Sequence, residues 1–223
     1  GKVTLIDHSD FYIHRSGRRV SFLRKEATYV VLPGPGAASA APNSASLKAQ
    51  LGADADLTKE RPLGRRAVFR IKEGRDAAVV LDRVRALDPS AFISPVLATA
   101  EGVGDLGVST SVIVRLASAV DPASTLNSLE QTFNLSVTSA LRSAPQEFEL
   151  EMLNQVEDVG EVFELAVALG ALSGVEWAEP NFVVAPRRLL TPNDPRYVDQ
   201  WHLNNSGQNG AAVDADIDAP EGW

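Results

Sequence analysis

Hydrophobic and polar positions alternate along residues 11–32, "FYIHRSGRRVSFLRKEATYVVL", with the two-residue period of a half-buried strand. The alternation breaks once, at Ser16-Gly17, which predicts a strand, a turn, and further extended chain up to Pro33. "GPGAASAAPNSA" then offers little to bury and reads as a loop. A short helix is predicted over "ASLKAQLG", ended by Gly52. "LTKERPLGRRAVFRIK" predicts two strands around Pro62-Leu63-Gly64. Asp76 is placed to N-cap a helix over "AAVVLDRVRAL", with an apolar face of Val80, Leu81, Val84 and Leu87. "AFISPVLAT" predicts a strand whose Pro95 belongs at a sheet edge or a strand end.

The same order of patterns then returns. "TSVIVRLA" reads as a strand, and Asp121-Pro122 opens a helix over "ASTLNSLEQTF" with a cap residue followed by proline at the first helical position. "LSVTSALRSAPQEFELEML" predicts a strand pair turning near Ala144-Pro145. Asp158 and Glu161 form a capping pair for a helix from Val159 to Leu172, which Gly174 ends before the strand "VEWAEPNFVVA". One constant offset pairs Pro95 with Pro180, Phe92 with Trp177, Leu97 with Phe182, Val80 with Leu165, Val84 with Leu169, and Leu87 with Leu172. The order β-α-β-β-α-β thus occurs twice, and that order is the ferredoxin-like split βαβ unit. The predicted class is α+β: two tandem ferredoxin-like units preceded by a β-hairpin and followed by an extended C-terminal segment. The boundaries are residues 1–26 for the hairpin, 27–100 and 108–186 for the two units, and 187–192 for a linker. Residues 193–223 form a segment of different character.

Composition narrows the chemistry. A hydrophobic fraction of 44% with 22% charged residues suits a buried core. A net charge of -8 argues against nucleic acid as a partner, because phosphate binding runs on an excess of Lys and Arg. The pairs Arg18-Arg19, Arg65-Arg66 and Arg187-Arg188 are short and separated. The chain has no cysteine, which removes disulfides, cysteine zinc sites and thiol nucleophiles. No apolar run approaches the roughly 20 residues of a membrane span, so no membrane partner is expected. The longest, Val162 to Leu172, is interrupted by Glu164 and Gly170 and reads as a buried helix.

The histidines are His8, His14 and His202. Asp7-His8-Ser9 puts three triad residue types side by side, but a triad is assembled from distant segments, so this stretch reads as an exposed N-terminal turn. His14 reads as a surface residue of the alternating strand, and Glu176 and Glu179 as solvated rather than as an acid–base pair. No HExxH, GxSxG or P-loop pattern is present. No catalytic residues are assigned.

A resemblance carries the rest. "VEWAEPNF" (Val175 to Phe182), "NDPRYVDQWHLNNSGQ" (Asn193 to Gln208) and "DIDAPEGW" (Asp216 to Trp223) resemble the prodomain-to-peptidase junction of the subtilisin-like (S8) serine peptidases. "YIHRSGRRVSF" (Tyr12 to Phe22) is similar to the hairpin opening many bacterial prodomains of that family. The resemblance implies a propeptide that acts as intramolecular chaperone and cleft-blocking inhibitor of a cognate subtilisin-like catalytic domain until autoproteolysis removes it. The family's catalytic Asp, His and Ser lie further along than Trp223, so the resemblance implies that this stretch does not itself cut peptides. The implied inhibitory tail is Asn181, Phe182, Val183, Val184, Ala185, Pro186, Arg187 and Arg188, with processing expected between Ala185 and Thr191, around Arg188, Leu189 and Leu190. Asp194 matches a position where family members place a calcium ligand, so calcium is expected only in the full-length parent. The chain opens on Gly1, so a leader is not legible; the resemblance implies a secreted or periplasmic protein. Family prodomains have one such unit, and here two are predicted. The competing expectation is a tandem ferredoxin-like module that senses a small molecule or binds another protein.

Overall fold

The first turn closes tightly because Gly17 takes φ +77°, a conformation that strains a side chain. Its N–H donates to the His14 carbonyl at 2.7 Å, and the His14 N–H donates to the Arg18 carbonyl at 2.9 Å. The turn joins β1 (Leu5–Ile13) to β2 (Arg19–Pro33) as an antiparallel hairpin, with Tyr12 opposite Val20 and Asp10 opposite Phe22. The computed structural model describes residues 4–36, 44–57, 66–102, 104–140 and 146–184. All belong to the first of two compact units, Gly1–Ala185 and Pro186–Trp223. The expected linker 187–192 and the segment 193–223 lie outside the described residues.

The second half of β2 begins a run of α1 (Ser44–Leu51), β3 (Ala55–Leu57), β4 (Val68–Ile71), α2 (Ala77–Leu87) and β5 (Ala91–Thr99). These strands pair antiparallel in the order β3-β4-β2-β5. A second run follows: β6 (Leu106–Leu116), α3 (Pro122–Phe133), β7 (Leu135–Ala140), β8 (Glu147–Met152), α4 (Val159–Gly170) and β9 (Val175–Val184). Its antiparallel pairings give the order β7-β8-β6-β9. One pair, Leu97 with Leu106, joins β5 to β6 and makes a single nine-stranded sheet. The described chain is therefore α+β, with a largely antiparallel sheet and four helices.

The helix starts form as local chemistry dictates. Asp76 accepts from the Ala78 and Val79 N–H groups, and Asp121 accepts from Ser124 N–H ahead of Pro122. Asp158 accepts from Gly160 N–H while the Glu161 carboxylate accepts from Asp158 N–H, completing a capping box. Helix ends depart from expectation. Leu87 and Leu172, predicted on apolar faces, are each 36% exposed. Leu87 is the last residue of α2, and α4 stops at Gly170 rather than Leu172. At these ends the buried stripe has already been used one turn earlier, by Val84 and Leu169. Gly174, at φ +92°, then turns the chain into β9, where a Cβ would meet Val120.

Two strand positions also shift. β3 falls at Ala55–Leu57, upstream of most of the predicted stretch, and residues 58–65 lie outside the described set. β6 starts at Leu106, earlier than the Thr110 of the pattern, because Leu106 to Val108 pair with β9 before a bulge between Val108 and Val112. Pro95 sits opposite Tyr29 within β5, and the lone β5–β6 pair leaves its other side outside the ladder, as an edge proline requires.

The core has two parts. Val31, Phe69 and Ile71 face Leu47, Leu51, Val80 and Val84 of the first two helices. Val30, Leu32 and Val68, on the opposite face of the same strands, and Phe92 of β5 join a larger core that runs through Val112, Leu150, Val162 and Leu169. Helix α4 packs on β9 and β6 and also on β1. Its buried residues Val159, Val162, Phe163, Leu165, Ala166 and Leu169 spread beyond one stripe, as expected of a helix covered on more than one side.

Candidate functional site

Strand β8, "EFELEM", sends Phe148, Leu150 and Met152 into the core and therefore Glu147, Glu149 and Glu151 to the other face. Register sets Ser111 opposite Glu151, Ile113 opposite Glu149, and Arg115 opposite Glu147. From the other side, Glu179 lies opposite Ile113 and Trp177 opposite Arg115. The open face of the second half-sheet is thus rich in carboxylates.

Glu149 is its centre. One carboxylate oxygen accepts from Ser111 Oγ at 2.7 Å and Asn181 Nδ2 at 2.8 Å, and the other accepts from Ser139 Oγ at 3.2 Å. Ser109 Oγ lies 2.9 Å from Ser111 Oγ and donates to the Asn181 carbonyl at 3.2 Å. Arg115 bridges Glu147 and Glu176, both at 2.9 Å. A shallow groove of about 470 Å³ is lined by Pro33 and Arg66 together with Ser111, Glu149, Glu151 and Asn181. Chemically the cluster is an organised acceptor surface suited to donors on a partner, rather than a nucleophile held by an imidazole.

Glu176 is exposed and ion-paired, whereas Glu179 is half-buried. Burial pushes the Glu179 carboxyl up; Arg15 and His14 oppose this, and Glu147 adds to it. A raised folded-state pKa means that the fold favours the protonated form. The resulting stability is complete below the unfolded-state value and lost as pH rises through the folded one. Glu179→Gln is therefore expected to be more stable than the wild type in urea unfolding at pH 7, with the difference gone below about pH 4. Equal midpoints at both pH values would contradict this.

The end of β9 forms a second feature. Phe182, Val183 and Val184 pair with Val108, Gly107 and Leu106, so residues 181–184 of the predicted tail are sheet residues. The Phe182 ring lies 5.1 Å from Phe22, 5.8 Å from Tyr12 and 6.2 Å from Phe163. Ala185, Pro186, Arg187, Arg188, Leu189, Leu190, Asp194 and His202 lie outside the described residues. His8 is exposed on β1, and His14 follows β1 in the turn, its Nδ1 2.9 Å from Ser16 Oγ.

A third feature escaped the sequence pattern. Arg24 of β2 donates to both oxygens of Asp10, at 2.7 and 3.0 Å, and to both oxygens of Asp158, at 2.7 and 2.6 Å. Asp10 belongs to β1, while Asp158 caps α4, so one guanidinium ties the hairpin to the second half of the chain. Hydrogen bonding from Arg24 is the main reason the Asp158 carboxyl lies below its ordinary range. Lys25 and Asp105 add a neighbouring ion pair.

Among the described residues no group of three or more His, Asp or Glu could hold a metal ion, and no helix is long and apolar enough to cross a membrane. No family model, curated protein or solved structure matches this chain.

Proposed function

We propose that this chain is the propeptide of a subtilisin-like serine endopeptidase, joined to the opening residues of the peptidase itself. The observation that carries the reading is one juxtaposition. "VEWAEPNF" lies in β9, the closing strand of the second half-sheet, and "NDPRYVDQWHLNNSGQ" follows soon after. In this reading each half of the sheet is a ferredoxin-like unit, an assignment supported by the matching orders β3-β4-β2-β5 and β7-β8-β6-β9.

The second unit docks its carboxylate-rich open face on the catalytic domain. Because Asn181 to Val184 are held in the sheet, the segment that enters the cleft begins beyond Val184. Ala185 to Leu190 then lies in the substrate cleft as an added strand, a recognised mode of peptide binding. Pro186 has no N–H to offer, so strand pairing weakens there and the cut falls nearby. A partner that binds only the folded enzyme also favours its folding, which gives the chaperone role. Asp194 serves calcium only with groups contributed by the rest of the peptidase, in a secreted or periplasmic parent.

Limited digestion of the full chain by an active subtilisin-like peptidase tests this reading. Mass spectrometry should place the first cut between Ala185 and Thr191, leaving the upstream fragment resistant. First cuts scattered through residues 1–184 would refute it.

A further inference from the structure

The N-terminal hairpin and the end of β9 meet in one aromatic nest. Tyr12 and Phe22, on the two strands of the hairpin, stack with ring centroids 6.2 Å apart. Phe22 also lies 5.5 Å from Phe163 of α4, and both hairpin rings reach Phe182. Beneath them, Arg24 fixes Asp10 of the hairpin to Asp158 at the start of α4. The earlier part of β9 packs along α4 and pairs with β6 through Val112 to Leu116. Its last residues have less to hold them. They lie past the bulge in β6, they pair with Leu106 to Val108, and Val184 is exposed. Asn181 is tied by its side chain to Glu149 and Ser111, and beyond it the aromatic nest anchors Phe182, with two of its rings coming from the hairpin.

We propose that the N-terminal hairpin is a strap that holds the end of β9 in register, with Tyr12 and Phe22 as positioning residues acting through Phe182. The strap fixes the end of β9 up to Val184, and loosening the nest frees that end while the core around the first two helices stays formed. The inference concerns the strand itself and does not depend on a peptidase cleft receiving the tail. If the propeptide reading also holds, undocking the hairpin is a step that loosens the inhibitory tail.

Native-state hydrogen exchange on the full chain provides the test, comparing the wild type with Phe22→Ala and the milder Phe22→Leu. For Phe22→Ala, exchange of the Phe182 to Val184 amides should accelerate by at least about tenfold, while the α2 amides around Val80 to Val84 keep their wild-type rates. Phe22→Leu, which refills much of the nest, should restore most of the protection. Unchanged exchange at Phe182 to Val184 while the hairpin amides accelerate would overturn the proposal. So would equal acceleration in α2, because the variant would then act on global stability alone. If Phe22→Ala does not fold, the same comparison is read from Phe22→Leu, with a smaller acceleration confined to the hairpin and β9 end. Because the readout needs no peptidase, failed inhibition with the expected exchange pattern would refute the propeptide reading and leave the strap standing.

Discussion

Arg24→Met is expected to be the most damaging polar substitution in the described chain, costing about 3–5 kcal/mol of folding stability. The Asp10 side chain is 2% exposed, and Arg24 donates to both of its oxygens. Methionine fills a similar volume but leaves that carboxylate buried without these donors, and the desolvation cost of such a group dominates the loss. Asp158 loses its partner as well, although half its side chain meets solvent and that share of the loss is screened. Arg24→Lys keeps the charge but cannot fork to two carboxylates at once, so an intermediate loss is expected. The acid limb adds a signature. Because the Asp158 carboxyl is depressed, its contribution is present above the ordinary aspartate value of about 4 and disappears as pH falls through the depressed value. Arg24→Met should therefore flatten the acid side of the stability profile measured by chemical denaturation. A loss under about 1 kcal/mol with an unchanged profile would show that the clasp is peripheral.

Leu169→Ala is expected to cost a similar amount, about 3–5 kcal/mol, for an apolar reason. Leu169 is fully buried in α4, a helix enclosed by β6 and β9 and by the hairpin strand β1. A site hemmed in on several sides cannot collapse around the missing atoms, so the cavity penalty adds to the lost transfer energy. Val79→Ala in α2 is the matched control. Val79 is 54% exposed, and its removal should change stability by no more than about 0.5 kcal/mol. Urea midpoints for the two variants should separate accordingly, and a Leu169→Ala loss near that of the control would contradict the doubly covered helix.

The contrast between these two sites shows what a sequence makes readable. Asp76, Asp121 and Asp158 were legible as caps because a cap is a bond to an N–H two or three residues away. Glu147, Glu149 and Glu151 alternate with apolar neighbours, so their shared face was implicit in "EFELEM". The largely apolar run from Val162 to Leu169, broken by Glu164, announced a buried helix but carried no word of what covers it. The hairpin that does so lies far upstream, and Arg24 and Asp158 are 134 positions apart. No local period encodes such a pairing. The gathering of Ser111, Glu149 and Asn181 was hidden for the same reason, since it depends on which strands become neighbours and on a bulge in β6. Helix ends failed differently: Leu87 and Leu172 continue an apolar pattern past the point where the helix has a neighbour to bury against.

The role proposed for this chain is to block the cleft of a subtilisin-like peptidase. It is tested most directly by titrating the intact 223-residue chain into such an enzyme and following cleavage of a chromogenic peptide. The expected result is slow-onset inhibition, competitive with the peptide, with a dissociation constant below about 1 μM, or more than about 8 kcal/mol of binding energy. Undiminished hydrolysis at chain concentrations well above that value, with the chain still folded and uncut between Ala185 and Thr191, would contradict it.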